Sequence, residues 1–462
     1  MRMLGRIRGA HVAGRQTVPT IPVTDPDPLV EAALRPMLHA GRGFWIVVVL
    51  VGAVVAIGAV AYAIQLATGL GVTGLSDQVF WGLYEATLVT FIGFSYGGAL
   101  VSAILRLVDA SWRGPVTRIA EASALATLLV GALFPIIHLG RPERVLLIIF
   151  QPQFNSPIVW DLVAIATYMV ATLILFGLPL VADLGILRDR PAVGPRRRRI
   201  FGWLSFGWRG TARQRRALDR ALTVIAILII PLAVVVHTVL SYAFSLTSRP
   251  GWHSTIFGPY FVIGAIYSGV AIVIVTALAY RSAYRLHPWI DDRVIRKLGY
   301  VLVALGVAYA YATFTEITTE GYVSEVADAN VLFALVFEHY SPLFWGFVLF
   351  GLVLPVGVMA VPRLRTAKWI GAASVAVIAT MYLKRFLIIV PPETQPSIGG
   401  AVATYTPSWV ELAIAAGGAA GIVLILLVIF RFLPVLAIHE IREIDERWQA
   451  RAMAPADATA AV

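Results

Sequence analysis

The sequence predicts an all-α polytopic membrane protein, and three observations carry that prediction. Of its 462 residues, 59% are hydrophobic and only 14% charged, with a mean hydropathy of +0.81, a balance that a water-facing surface does not sustain. About ten apolar stretches are each long enough to cross a bilayer. The 39 glycines and 26 prolines fall in no low-complexity run, so the chain reads as neither fibrous nor disordered. Helices follow because in hydrocarbon only a helix satisfies its own backbone groups without closing a barrel.

Taken in order, the spans are placed near residues 44–70, 81–108, 122–139, 158–181 and 221–245, then 256–280, 298–319, 343–361, 369–390 and 409–438. Residues 1–43 form an N-terminal arm with no short apolar core or small-residue cleavage site, so no signal peptide is expected there. Its Pro26-Asp27-Pro28 suggests a segment running extended along the cytoplasmic surface. Residues 44–438 make one membrane domain, and residues 439–462 a tail in which charges recur at helical spacing before an Ala-rich end.

The cations orient this domain. Of 37 Lys and Arg, 32 fall in the N-terminus, the C-terminus and the loops after the second, fourth, sixth and eighth spans, and five fall on the other side. The positive-inside rule then puts both termini in the cytoplasm. The densest block, Arg196 to Arg199 followed by Arg209, Arg213, Arg215, Arg216 and Arg220, reads as a topology signal resting on anionic lipid rather than as a nucleic-acid site. Spans 2–5 and 6–9 have parallel topology, which predicts two four-helix bundles with helices 1 and 10 peripheral. The absence of cysteine excludes disulfides, thiolate nucleophiles and iron–sulfur ligation by this chain.

Ionisable residues within or beside a span are candidate sites because their burial is costly. The third span ends in His138, Arg141, Glu143 and Arg144, and the fourth opens on Ser156-Pro157-Ile158-Val159-Trp160-Asp161 from the same outer face. A His and an Asp at one level form a pair able to accept protons from a hydroquinone. They also admit a plainer reading, in which Arg141 or Arg144 neutralises Asp161 and His138 caps its helix. His237 in the fifth span suggests an interhelical hydrogen bond, and Glu121 a partner for Arg113 or Arg118. The adjacent Lys384 and Arg385 cannot both snorkel one way, so at least one should face the interior, towards an acid or an anionic ligand. His253, in Gly251-Trp252-His253, belongs either to an interfacial belt or to the outer site. The chain carries no Walker motif, dinucleotide loop, His-Glu-x-x-His or spaced His pairs for two b haems.

Several stretches then carry a resemblance. They are FSYGGALVSAILR at 94–106, WRGP at 112–115, RIAE at 118–121, HLGRP at 138–142, SPIVWD at 156–161, GWRG at 207–210, PGWHSTIF at 250–257 and PYF at 259–261. In this order, over roughly residues 70–396, the chain resembles the NrfD/PsrC family of quinone-interacting membrane subunits. TFTE at 313–316 and LKRFLIIVP at 383–391 make it most similar to the ActC branch, found in alternative complex III, over the ActF sister type.

The resemblance implies a bacterial cytoplasmic-membrane subunit without haem or iron–sulfur cluster that oxidises menaquinol near the periplasmic face. Electrons would pass to the iron–sulfur cluster of an ActB-like partner and on through c-type haem subunits, beside an ActF-like sister subunit. It implies that His138 and Asp161 are the proton-accepting, catalytic pair, that Arg141, Glu316 and Arg385 line the pocket with Glu143 and Lys384, and that Tyr168 and His253 lie nearby. Where family members often carry Asp, two residues after the serine ending the fifth span, this chain has Ala243, so no proton translocation is inferred. A membrane anchor of a molybdopterin oxidoreductase of the polysulfide-reductase type is the alternative. A secondary transporter ranks below both, because the polar residues gather at the outer boundary rather than the midplane.

Overall fold

The computed structural model describes residues 27–190, 192–323, 325–396 and 401–453, and the secondary structure of these residues is helical. Ten helices are long and apolar enough to span a membrane. They are α1 (Arg42–Thr68), α2 (Gly82–Leu107), α3 (Gly114–His138), α4 (Pro157–Arg188), α5 (Ala212–Ser245), α6 (Phe257–Ala283), α7 (Asp292–Tyr322), α8 (Ser341–Ala360), α9 (Ala367–Thr394) and α10 (Trp409–Phe432).

Burial separates these helices by role. The apolar window of α2 is 94% buried, whereas that of α1 is 11% buried, so α2 is the central stave and α1 faces outward. α2 packs against α3, α5, α6 and α9, and α6 also packs against α5, α7 and α9. The α2–α6 crossing is close because it is glycine on glycine: a Cβ added to Gly97 would lie 2.3 Å from the Cα of Gly269. Small residues let backbones approach in this way and so gain dispersion where lipid offers no hydrophobic drive. α1 pairs with α10 through Gly58 and Gly417, and α10 packs on α3.

Helix ends follow local chemistry. α5 begins earlier than its apolar content predicts, because Thr211 and Gln214 form a capping box that carries the cationic turn 212–220 into the helix. α10 stops at Phe432, just before Pro434, instead of running to residue 438. α3 is interrupted: its helix runs Gly114–Gly131, a turn follows, and a last short piece, Phe134–His138, starts with Pro135 in its first turn.

One expectation for the N-terminal arm is corrected. Residues 1–26 lie outside the described residues, but Pro28–Leu38 is a helix rather than an extended strap. Asp27 is its N-cap, accepting from the Leu29 and Val30 amides at 3.0 and 3.3 Å, and Pro28 takes the first helical position, where its missing N–H is no loss. The tail forms the helix Ile438–Met453.

The cation-rich end is laced by ion pairs, among them the buried Arg118–Asp183 and Arg106–Glu440. Arg118 binds Asp183 at 2.7 Å, and Arg106 binds Glu440 at 2.9 Å and Asp219 at 2.7 Å. Asp183 also accepts the His439 amide at 2.8 Å, which ties the tail helix to α4. Glu121 lies 3.8 Å from Arg118 and accepts from Ser102 at 2.9 Å.

Candidate functional site

At the cation-poor end, the first turns of α2 and α4, the last turn of α3 and the end of α5 enclose a cavity of about 420 Å³. Its walls are apolar, with Leu88, Ile136, Ile158, Leu162 and Ile165 among them, and three protic side chains reach it: Glu85, His138 and Asp161. A mostly apolar recess of a few hundred Å³ with few convergent polar groups has the make-up of a small-molecule site.

His138 arrives there because α3 restarts at Pro135 and ends one turn later. Gly140 has φ +65°, and a Cβ there would meet Leu70 at 2.9 Å, so the reversal after His138 requires glycine. His138 Nε2 lies 2.8 Å from the carbonyl oxygen of Phe80. A carbonyl only accepts, so in the neutral ring Nε2 carries the hydrogen and Nδ1 keeps the lone pair. That Nδ1 is 3.9 Å from Glu85 Oε2. Asp161 enters one turn into α4, and its Oδ1 is buried without a hydrogen-bond partner. Neither Arg141 nor Arg144 pairs with it among the described residues. Both arginines and Glu143 are exposed on the loop beyond Gly140.

Two carboxylates and one amide hold this geometry from outside. Glu393 at the end of α9 accepts from the Trp81 and Gly82 amides, each at 3.1 Å, and so caps the start of α2 that carries Glu85. Glu411 of α10 accepts from Tyr405 at 2.6 Å, and the Tyr405 hydroxyl accepts from the Leu83 amide at 2.8 Å. Gln65, buried on the otherwise exposed α1, accepts from the Tyr84 hydroxyl and donates to the Ile137 carbonyl at 2.8 Å. It thereby ties α1 and α2 to the residue preceding His138.

The remaining predicted residues lie in other places. Tyr168 is two turns deeper on α4, its ring centroid 4.3 Å from that of Tyr96, with Ser95 at 3.4 Å from its hydroxyl. Tyr96 also packs on His237 at 4.7 Å, and both ring nitrogens of His237 are buried without a partner instead of bonding a neighbouring helix. Beyond His237, Arg385 donates to Ser268 Oγ at 2.9 Å, in space left by Gly93, whose added Cβ would lie 2.6 Å from the guanidinium. Lys384 pairs with Glu316 at 3.3 Å under the Tyr260 ring.

Lys384 and Arg385 therefore both face the interior, in a cluster separate from the cavity. His253 turns away: its Nδ1 lies 3.3 Å from the Arg249 carbonyl and its Nε2 3.5 Å from Asp328. Its neighbour Trp252 makes the link instead, stacking at 5.1 Å on Trp81 of the cavity wall.

Sequence reasoning did not assign Glu85 or Gln65 to the site. The usable signal was polarity: each is an uncommon polar residue at the cation-poor end of an apolar span.

Comparison with known proteins adds the family context. The family model described as polysulphide reductase, NrfD matches residues 71–396. A relative from Halobacterium salinarum, named as the putative membrane subunit of a dimethyl sulfoxide reductase, is 28% identical over 87% of this chain and 94% of its own length. The Hdr-like menaquinol oxidoreductase integral membrane subunit of Archaeoglobus fulgidus is 25% identical, covering 87% and 96%. A selenate reductase subunit of Mesobacillus selenatarsenatis is 22% identical, covering 76% and 83%.

Proposed function

Since the chain belongs to the polysulphide reductase NrfD family, we propose that it is the quinol-oxidising membrane subunit of a respiratory oxidoreductase complex, working at the cavity of Glu85, His138 and Asp161. The observation that carries this reading is that cavity: an apolar box with a basic imidazole nitrogen and an unpartnered carboxylate oxygen at one level. Apolar walls suit a quinone ring, and the two proton acceptors suit its two hydroxyls.

Quinol oxidation releases two protons and two electrons. His138 Nδ1 takes one proton, and the resulting imidazolium is stabilised by Glu85 at 3.9 Å; Asp161 takes the other. Glu85 shares the pocket as the third ionisable group, and as a carboxylate it is the next acceptor for the proton that His138 has taken. The electrons leave for an iron–sulfur cluster in a partner protein, because a chain without cysteine offers no thiolate to hold one. Menaquinol is the quinol we propose, in line with the name of the Archaeoglobus relative.

The side on which 32 of the 37 cations fall is the cytoplasmic side in this reading, with both termini there and the cavity near the outer face of a bacterial cytoplasmic membrane. The contacts among α2 to α5 and among α6 to α9 support two four-helix bundles with α1 and α10 outside. The motifs at 313–316 and 383–391 support membership of alternative complex III, with ActB-like, ActF-like and c-type haem partners. The names of the Halobacterium and Mesobacillus relatives favour a second reading, an anchor that feeds electrons to a molybdopterin reductase. Quinol oxidation is common to both, and only the acceptor differs.

Purification of the intact complex tests both levels. Quinol-dependent reduction of the partner cluster, lost in Asp161→Asn, supports the site, and wild-type turnover in that variant would remove it. Multihaem cytochrome c in the complex supports the first assembly; a molybdopterin protein without such cytochromes supports the second.

A further inference from the structure

The cation-rich end holds a second recess that the proposed quinol chemistry does not use. Between α1, α6 and α10 a cleft of about 670 Å³ is walled by apolar side chains, including Phe44, Val47, Val275, Ala279 and Leu427. Its mouth is basic. Arg431 lies over the Phe44 ring at 5.9 Å and donates to the Pro36 and Met37 carbonyls at 3.1 and 2.7 Å. Arg35 donates to the carbonyls of Tyr284, a lining residue, and Arg285, both at 3.2 Å. Arg197 donates to the Met37 carbonyl at 3.1 Å.

These three half-buried arginines spend their hydrogen bonds on backbone oxygens. Among the described residues none of them pairs with a carboxylate, and Asp27, the acid that begins this helix, is engaged by Arg190 and Arg442. The charge is felt: burial, and then the charge of Arg431, hold the Arg197 guanidinium below its ordinary pKa. The amino end of α1 adds to the same field. Its N-cap is Gly41, which makes no side-chain cap, and the spaces beside Gly41 and Gly43, both lining residues, are open. The positive end of the helix dipole lies there.

We propose that this cleft binds an anionic phospholipid, its phosphate held by Arg431, Arg35 and the amino end of α1, and an acyl chain lying along Phe44, Val47, Ala279 and Leu427. Charge complementarity selects this occupant. Guanidinium groups without acid partners match a phosphate, which they bind with several parallel hydrogen bonds, and basic pockets between helices at a membrane surface hold anionic headgroups. A wall dominated by apolar side chains such as Phe44, Val47, Val275, Val423 and Leu427 matches a tail. The inference does not depend on the quinol reading.

The test uses the intact complex, delipidated in detergent and titrated with phosphatidylglycerol or with phosphatidylcholine of the same chains, with glycerol phosphate as the tail-less control. Phosphatidylglycerol should raise the melting temperature and be retained in native mass spectra, and the other two should not. Ala279→Trp fills the exposed groove without touching an arginine and should abolish retention, leaving quinol turnover unchanged. Arg431→Gln should lower retention about tenfold, as expected for one lost charge-assisted bond. Equal effects of the two phospholipids, an equal effect of glycerol phosphate alone, retention in Ala279→Trp, or a partner protein found seated in the cleft would each overturn the proposal.

Discussion

His138 carries two separable duties, and a single substitution divides them. Its Nε2–H donates to the Phe80 carbonyl at 2.8 Å, which fixes the ring, and its Nδ1, on the side of Glu85, is the base of the proposed reaction. In His138→Gln the side-chain amide can still donate to Phe80, but it has no nitrogen that accepts a proton. Removing a positioned general base costs roughly 10²- to 10⁴-fold in rate, whereas keeping the carbonyl satisfied limits the stability loss to about 1 kcal/mol. His138→Ala loses both duties: the same fall in rate, and about 1–3 kcal/mol for an unsatisfied carbonyl and an unfilled space. Quinol-dependent turnover of the purified complex, followed beside thermal unfolding, distinguishes the two variants. Turnover of His138→Gln within about threefold of wild type, well outside the range expected for a lost base, would refute the assignment of Nδ1 as proton acceptor.

Four other outcomes are expected. Asp161→Asn should lower quinol turnover by roughly 100-fold or more while quinone binding, measured by equilibrium titration, persists. Lys384→Met leaves Glu316 buried without its partner and should destabilise the protein by about 3–5 kcal/mol, much of it restored by adding Glu316→Leu; thermal melting of the two variants checks this. Gln65→Leu should slow turnover by loosening the turn before His138 and lower stability by about 1–3 kcal/mol, because the Tyr84 hydroxyl and the Ile137 carbonyl lose their partner; kinetic and thermal assays read the two effects. The fourth concerns pH. Asp27 is half-buried, which alone would raise its pKa, yet hydrogen bonds from Arg442, Val30 and Leu29 and the Arg442 charge hold it below its ordinary 3.8. A depressed folded-state value means its contribution is complete above 3.8 and is lost as pH falls through the lower folded value. Hydrogen exchange in the helix Pro28–Leu38 should therefore rise sharply only in that acidic range, and Asp27→Asn should show the raised exchange at neutral pH.

Much of this architecture is legible in the residues, for identifiable reasons. Length and hydropathy mark the spans, because the bilayer imposes a minimum on each, and the alternation of successive spans assigns His138 and Asp161 to one end. That at least one of Lys384 and Arg385 faces inward follows from their adjacency, and both do. Helix phase and interhelical distance are not legible in the same way. Glu316, Lys384 and Arg385 look like neighbours of the outer site until packing of α6 against α2 sets a wall of Tyr96, His237 and Phe261 between them. Arg141 and Glu143 leave the cavity because Gly140 reverses the chain, a backbone event that composition alone does not mark. The helix at Pro28–Leu38 was hidden by two prolines that suggest extension; one of them in fact starts the helix.

Gln65 bears on where this protein's working unit ends. The family model matches from residue 71, yet the latch on the Ile137 carbonyl sits at residue 65, and the Glu411–Tyr405 brace on Leu83 sits beyond residue 396. The two outermost helices therefore act as a hoop around the staves of the matched region. A chain trimmed to residues 71–396 would keep Glu85, His138 and Asp161 and lose the contacts that brace them.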